Sequence, residues 1–331
     1  MPAMRRRGAA VVCVSALAAW AGPASTEAGA STRVIGHGTA RSCTSSAVVA
    51  AVRAGGRIRF SCGPKPVTIR MGATAKVLNS RREVILDGGG LVTLSGGGRR
   101  RILYMDTCDP AQVFTTSHCQ DQATPRLVVE NLGFADGNST GDDFDGGGGG
   151  AIFARGGRLR IVRSTFVGNR CERSGADIGG GAVRVLSEYH ALPVDVLDSR
   201  FTANVCSNGG ALSSIGVSWN VTRSRFVGNR AIGRGANPSR PGTPGGGSGG
   251  AIYNDGNRFT LTITGSHLTG NHAAEGGGAI FFVSNDRTGT LAIKDSVLQR
   301  NRNDGFQTAG LPGIFFLGAH NPTVTGSTMT R

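Results

Sequence analysis

Three carboxylates within four residues are the clearest candidates for chemistry in this chain. Asp142, Asp143 and Asp145 directly precede an unbroken glycine run at 146–150. Carboxylate oxygens are ligands that Ca²⁺ prefers, and a loop rich in acids can supply several of them. We therefore expect a metal site at Asp142, Asp143 and Asp145, with calcium as its candidate cofactor. A solvated acidic loop is the alternative interpretation, and it is the more frequent structure for such a cluster.

Other catalytic signatures are missing from the sequence. His37 lies in an isolated Gly-His-Gly triplet, and the other histidines show no metal-ligand spacing. Neither a G-x-S-x-G nucleophile motif nor a phosphate-binding loop is present. The catalytic residues of any activity are therefore unknown from the sequence.

The charge of the chain favours anionic partners. The formal net charge is +15, from 36 basic and 21 acidic residues. Without residues 1–30, which hold three Arg and one Glu, 33 basic and 20 acidic residues remain, a balance of +13. Acidic polysaccharide or a cell envelope would suit this surface. Nucleic acid is not expected as a partner of an exported chain that has few interleaved aromatics and no recognition motif.

The amino terminus and the cysteines predict an exported protein. Residues 1–30 combine an arginine triplet, an apolar run too short for a membrane span and small residues, which is typical of a cleaved signal peptide. The remaining chain is expected to be secreted or held at the cell surface, with no membrane span. Its six cysteines allow 15 pairings, and neighbour pairing is our prediction. The predicted pairs are Cys43 with Cys62, Cys108 with Cys119 and Cys171 with Cys206.

Two phrases alternate along most of the chain. The first is Gly-Gly-Ala-aliphatic, and the second is Ser-x-Phe-x-x-Asn, in which Leu replaces Phe in two later copies. The first phrase occurs at 149–152, 180–183, 209–212, 249–252 and 277–280, with a degraded copy at 312–315. The second begins at Ser164, Ser199, Ser224, Ser266 and Ser296. Such alternation defines a repeat protein.

The repeat unit predicts an all-β fold, a parallel β-solenoid. Each unit contains about three short strands joined by Gly and Asn turns, and stacked coils place equivalent residues about 4.8 Å apart. We expect an internal ladder of Phe134, Phe166, Phe201, Phe226, Leu268 and Leu298. We also expect a turn ladder of Asn138, Asn169, Asn204, Asn229, Asn271 and Asn301. A short amphipathic helix within about 43–56 should cap the amino-terminal end.

These phrases resemble a known family. The alternating GGA(I/V/L) and FxxN phrases are similar to polymorphic outer-membrane-protein repeats. The stretch from Cys43 through AVVAAVRAGGRIRFSCG and PVTI to DGGGLVTLSGGG resembles the start of bacterial right-handed parallel β-helix proteins of the pectin-lyase fold. The resemblance covers roughly 33–330 and implies one right-handed β-helix domain over 31–331, with clear repeats at about 130–302. It implies no reaction, because this fold serves enzymes, adhesins and scaffolds.

Strand alternation gives a candidate binding face. If the aliphatic residue of each first phrase points inward, the next residue points outward. That column comprises Phe153, Arg184, Ser213, Tyr253, Phe281 and, on the degraded coil, Phe315. We expect sugar rings to stack on Phe153, Tyr253 and Phe281 while Arg184 binds an acidic group. The alternative is that loops such as 234–248 fold over this face and bury the rings.

Three functions are open at this point. The first is a β-helix that binds extracellular, acidic polysaccharide without an active site. The second is a polysaccharide lyase or glycosidase, although the pectate-lyase W-I-D-H phrase is missing and the polygalacturonase acid pattern is out of order. The third is a structural or adhesin-like surface protein. The repeats also run to Arg331 without a cap signal, which is compatible with a fragment of a longer chain.

Overall fold

The computed structural model describes residues 32–142 and 145–331, and it is a right-handed parallel β-helix. The predicted signal peptide lies outside the described residues. The strands before the first clear repeat are β1 (Thr32–Ile35), β2 (Gly56–Phe60), β3 (Val67–Arg70), β4 (Ala75–Lys76), β5 (Glu83–Ser95), β6 (Leu103–Asp106) and β7 (Arg126–Ala135). One α-helix, α1 (Ser45–Ala54), lies between β1 and β2. Short 3₁₀ turns cover Ala40–Ser42, Pro110–Gln112, Cys119–Asp121 and Tyr189–Ala191.

The repeats form the remaining strands. They are β8 (Ile152–Arg155), β9 (Arg158–Val162), β10 (Thr165–Val167), β11 (Val183–Val185), β12 (Val194–Leu197), β13 (Arg200–Thr202), β14 (Val205–Cys206), β15 (Leu212–Ile215), β16 (Trp219–Thr222), β17 (Arg225–Val227), β18 (Arg230–Ala231), β19 (Ile252–Gly256), β20 (Thr260–Thr264), β21 (His267–Thr269), β22 (His272–Ala273), β23 (Ile280–Ser284), β24 (Thr290–Lys294), β25 (Val297–Gln299), β26 (Arg302–Asn303), β27 (Ile314–Leu317), β28 (Thr323–Thr325) and β29 (Thr328–Thr330).

Three parallel sheets run along the axis. Sheet B runs from β4 to β27 and includes the strands that begin at the aliphatic residue of each Gly-Gly-Ala-aliphatic phrase. Sheet A holds two strands of each coil, such as β9 and β10, separated by a left-handed residue such as Arg163 (φ 44°). Sheet C is a short four-stranded sheet of β14, β18, β22 and β26. One coil therefore passes through sheet B, twice through sheet A, and then through sheet C.

The predicted apolar ladder is confirmed in the core. Phe134, Phe166, Phe201 and Phe226 stack face to face with ring centroids 4.9, 4.6 and 4.7 Å apart. Leu268 and Leu298 continue the column and are fully buried. Because these side chains lie at one register position in successive coils, each coil completes the core of its neighbour.

The predicted asparagine ladder is confirmed with one correction. In four successive pairs from Asn169 to Asn301, one side-chain amide donates to the side-chain oxygen of the next at 2.8–2.9 Å. The ladder position in the preceding coil is Gly137, whose N–H donates to Asn169 Oδ1 at 2.9 Å. Asn138 pairs with Arg170 instead, so its assignment to the ladder was wrong by one residue.

The predicted cap and the three predicted disulfides are confirmed. The side chain of Thr44 caps α1 by accepting from Ala47 N–H, and the helix ends at Gly55 in a left-handed conformation (φ 74°). Val48, Ala51 and Val52 are buried against the first coils. The disulfides join Cys43 to Cys62, Cys108 to Cys119 and Cys171 to Cys206. No helix in the described ranges combines the length and hydropathy of a membrane span.

Candidate functional site

The column after the Gly-Gly-Ala phrase is in register, but it is covered. Phe153, Arg184, Ser213, Tyr253 and Phe281 occupy one position of sheet B in consecutive coils. Phe153, Tyr253 and Phe281 are at most 1% exposed, and Arg184 is 2% exposed. Only Phe315, on the last coil, is partly exposed. The prediction of an exposed glycan-binding column is therefore wrong.

Loops explain why this column is inaccessible. Arg184 donates to Ser213 Oγ at 2.6 Å and to the carbonyl oxygen of Asp177, which belongs to a covering segment at 175–178. Loop 234–248 packs on that segment, because Gly175 N–H donates to Gly245 O and Asn237 donates to Ala176 O. The alternative interpretation, in which loops bury the rings, is correct.

One carboxylate of the acidic cluster, that of Asp145, lies in a buried ion pair. Asp145 is 5% exposed and accepts from Arg101 Nη1 at 2.7 Å, while Arg101 itself is 2% exposed. The backbone oxygen of Asp142 accepts from the same guanidinium. Asp143 lies outside the described residues. Over 32–142 and 145–331, no group of three or more His, Cys, Asp or Glu could hold a metal ion, and the calcium site stays a prediction.

A second exterior column is basic and accessible. Arg170, Val205, Arg230, His272 and Arg302 each follow a ladder asparagine and pair in register along sheet C. The three arginines are exposed, whereas the next residues inward, such as Cys171 and Ala231, are buried. Because successive strands lie about 4.8 Å apart, Arg170 and Arg302, four strands apart, are separated by roughly 19 Å along the axis.

Small residues make the surface beside this column a groove. Four of the five ladder asparagines follow a small residue, namely Gly168, Ala203, Gly228 and Gly270, and the fifth follows Arg300. The N–H of each of the four small residues donates to the strand of the next coil. A Cβ added at Gly228 or Gly270 would meet no atom within 4 Å, so the space above them is open. The opposite wall is formed by Val167, Thr202, Val227, Thr269 and Gln299, in register on sheet A.

The two ends of the groove carry further arginines. Arg70, Arg99 and Arg170 surround a depression of about 630 Å³ over Gly97 and Gly98. At the other end, His272, Arg300 and Arg302 line a depression of about 440 Å³ that includes Gly228 and Gly270. The name basic groove is used below for the floor, both walls and these two ends.

The charge of the basic groove is only partly balanced. Among the described residues, no carboxylate oxygen lies within 4 Å of the guanidinium of Arg170, Arg230 or Arg302. His272 Nε2 lies 2.9 Å from Asp304 Oδ1. Arg170 Nη2 donates to Gly98 O at 2.7 Å, which leaves the charge of Arg170 without a carboxylate counterpart. Guanidinium groups without a carboxylate partner on a concave surface attract anions and bind carboxylates or sulfates through charge-assisted hydrogen bonds.

The sequence contains a signal for this groove. The dipeptides Asn169-Arg170, Asn229-Arg230, Asn271-His272 and Asn301-Arg302 place a basic residue after four of the ladder asparagines. Strand alternation predicts that the residue after an inward asparagine points outward, just as it does for the residue after each Gly-Gly-Ala-aliphatic phrase.

Comparison of the chain with protein-family models, with curated proteins and with solved structures found no significant match in any of the three.

Proposed function

We propose that this protein is a secreted or cell-surface β-helix that binds an anionic extracellular polysaccharide in the basic groove. The observation that carries the proposal is the in-register column of Arg170, Arg230 and Arg302, exposed and without carboxylate partners in the described chain. Three disulfides are compatible with export, because such bonds persist in oxidising compartments.

A linear polymer suits the shape of the groove. The floor and both walls repeat once per coil and run parallel to the helix axis, so one segment of a regular chain can meet equivalent groups in successive coils. The span from Arg170 to Arg302, roughly 19 Å, corresponds to about four sugar units when one unit extends about one strand spacing. Nucleic-acid binding in such a groove uses aromatic stacking platforms, and the walls and floor named above contain no Phe, Tyr or Trp.

Binding is proposed rather than cleavage. Among the residues that the structure describes, the carboxylates lining the groove or its margin are Asp136 near one end and Asp304 near the other. Their coils are five strand spacings apart, roughly 24 Å. Glycoside hydrolysis ordinarily uses two carboxyl groups within about 5–9.5 Å of each other.

We also propose that the β-helix is of the pectin-lyase type and that its repeats are of the polymorphic outer-membrane-protein type. The stacked parallel sheets, the internal Phe ladder and the buried Asn ladder support it. A cell-surface location would place the groove within reach of extracellular glycans.

A charge-matched pair of variants tests the binding site. Arg230→Ala with Arg302→Ala removes two groove charges, and Arg53→Ala with Arg258→Ala removes two exposed charges elsewhere, one in the last turn of α1 and one between β19 and β20. Exposed ion pairs contribute about 0.2–1 kcal/mol each, so the groove variant should bind roughly tenfold more weakly. Titration calorimetry with pectate, alginate, hyaluronan and chondroitin sulfate, with dextran as a neutral control, measures this. Equal losses in both variants, or no binding to any anionic chain, would refute the proposal.

A further inference from the structure

A second basic row lies on the outer face of sheet A, beside the basic groove. Arg200, Arg225 and His267 are the first residues of β13, β17 and β21, and they pair in register in successive coils. All three residues are exposed, and about 4.8 Å separates each strand from the next. These three residues are called the second row below.

The second row lies on the same face of the sheet as the wall of the basic groove. Arg200 and Thr202 are two residues apart on β13, so their side chains point to the same face. Arg200 Nε donates to Thr202 Oγ1 at 3.1 Å, which directs the guanidinium toward the wall. In the next coil, Arg225 precedes and Arg230 follows the wall residue Val227. A polymer bound along the wall therefore has one edge toward the groove arginines and the other edge toward the second row.

The charge of the second row has no carboxylate counterpart. Among the described residues, no carboxylate oxygen lies within 4 Å of the guanidinium of Arg200 or Arg225 or of the imidazole of His267. The positions two residues earlier differ, because Arg223 donates to both oxygens of Asp198, at 2.7 and 2.8 Å. Like charges directly opposite each other on neighbouring strands are destabilising, so an anion bound across Arg200 and Arg225 would offset their repulsion.

The groove column and the second row together place a basic residue in every coil of this region. Val205 is the apolar member of the groove column, and Arg200 lies in the same coil on the other side of the wall. The depression at Val205 is also lined by Arg170 and Arg173, so guanidinium groups are present at this level too. In coil order, the basic residues without a carboxylate partner in the described chain are Arg170, Arg200, Arg225 with Arg230, His267 and Arg302. They recur about every 4.8 Å, which is about the advance of one sugar when one unit extends one strand spacing.

We infer that the ligand of the basic groove is a polyanion with an acidic group on every sugar unit, bound by the groove arginines along one edge and by the second row along the other. This inference rests on the proposed function and adds the density and the two-sided placement of the acids. The shared chemistry is that of an oxyanion, a carboxylate or a sulfate, because guanidinium groups bind either through charge-assisted hydrogen bonds. A polymer with an acid on every second unit meets the groove arginines alone.

Two oligosaccharides of equal length test the inference. Decasaccharides of chondroitin and of chondroitin 4-sulfate share one backbone, and the sulfate gives the second an acid on every unit. We expect the sulfated fragment to bind the intact protein about tenfold more tightly at about 0.15 M salt, as measured by titration calorimetry. Equal affinity of the two fragments would overturn the inference and leave the proposed function standing. Binding of neither fragment, nor of any other anionic glycan, would overturn both.

A charge-matched pair of variants locates the source of the preference. Arg200→Gln with Arg225→Gln removes two exposed charges of the second row and should reduce the preference for the sulfated fragment from about tenfold to about twofold. Arg53→Gln with Arg258→Gln removes the same charge elsewhere and should leave the preference at about tenfold. Arg200→Lys with Arg225→Lys retains the charge and should retain most of the preference. A preference that is unchanged in the second-row Gln variant, or that falls equally in the control, would overturn the inference.

An oligogalacturonate decasaccharide distinguishes the two kinds of acid, because it has a carboxylate on every unit and no sulfate. If a carboxylate suffices, it should bind as tightly as the chondroitin sulfate fragment and lose the same factor in the Arg200→Gln, Arg225→Gln variant. If the second row requires sulfate, it should bind as weakly as unsulfated chondroitin and show no greater loss than chondroitin in that variant. Tight binding of oligogalacturonate that the second-row variant leaves unchanged would contradict the assignment of the second row.

Discussion

The asparagine ladder is expected to stabilise both the fold and the basic groove, and Asn229→Ala tests this most sharply. Asn229 is fully buried between Gly228 on the groove floor and Arg230 on the groove wall. Its side-chain oxygen accepts from Asn204 N–H at 3.1 Å and from Asn204 Nδ2 at 2.9 Å. Its amide donates to Phe201 O at 3.1 Å and to Asn271 Oδ1 at 2.9 Å.

The expected loss of stability follows from these four bonds. Alanine leaves the buried N–H of Asn204 without its side-chain acceptor, which costs about 1–3 kcal/mol. The three other bonds contribute about 0.5–1.5 kcal/mol each in net terms. Some relaxation is expected, so we predict that Asn229→Ala lowers the free energy of unfolding by roughly 3–6 kcal/mol. Binding of the anionic polysaccharide should weaken as well, because the ladder bonds of Asn229 fix the turn that carries Gly228 and Arg230.

Equilibrium unfolding in urea measures this prediction. Asn220→Ala is the matched control, since Asn220 makes one side-chain bond, at 3.2 Å to Asp195, on the outer face of sheet A. The control should change the free energy of unfolding by no more than about 0.5–1 kcal/mol. If Asn229→Ala lowers the free energy of unfolding by no more than Asn220→Ala does, the hydrogen bonds of the ladder do not stabilise the turn and the prediction is refuted.

Two further predictions concern a buried acid and the groove floor. Burial raises the pKa of Glu188 well above its ordinary 4.5, although Leu159 N–H donates to the carboxylate. The folded state then holds a proton that the unfolded state releases, so stability should fall as the pH rises above about 4.5. Glu188→Gln should remove part of this loss of stability, which urea unfolding at pH 5 and pH 8 measures. Equal losses of stability between pH 5 and pH 8 in the parent protein and the variant would contradict this prediction. At Gly228, where the left-handed backbone (φ 63°) has open space, Gly228→Asp should weaken glycan binding severalfold, and Gly228→Asn should weaken it much less. Equal effects of the two substitutions would show that charge in the groove is unimportant.

The core of this fold follows from sequence periodicity. Phe166, Phe201 and Phe226 lie at the same place in each repeat, so stacking in register is the arrangement that buries all of them. Neighbouring cysteines were paired correctly because each disulfide closes a local excursion. Asn138 was misplaced because it follows Phe134 by four residues, whereas the ladder requires three.

The accessible surface of the β-helix could not be predicted from sequence periodicity in the same way. Alternation placed Tyr253 and Phe281 on the outer face of their strand, but it carries no information on the path of irregular loops. Loop 234–248 is held in place by contacts that are distant in sequence, including Arg240 with Glu275 at 2.8 Å. Two covers of the rings also come from distant residues: Arg101 lies over Phe153, and Phe306 packs edge-on against Phe281. The basic groove has no such cover in the described structure and stays accessible.

Arginine footprinting tests the central claim most directly. The intact protein is treated with p-hydroxyphenylglyoxal, with and without a saturating anionic oligosaccharide, and the modified residues are quantified by mass spectrometry. The account predicts that bound glycan protects Arg170, Arg230 and Arg302, while Arg53 and Arg258 react at unchanged rates. Retention of the glycan with no protection of the three groove arginines would contradict the claim that the basic groove is the binding site.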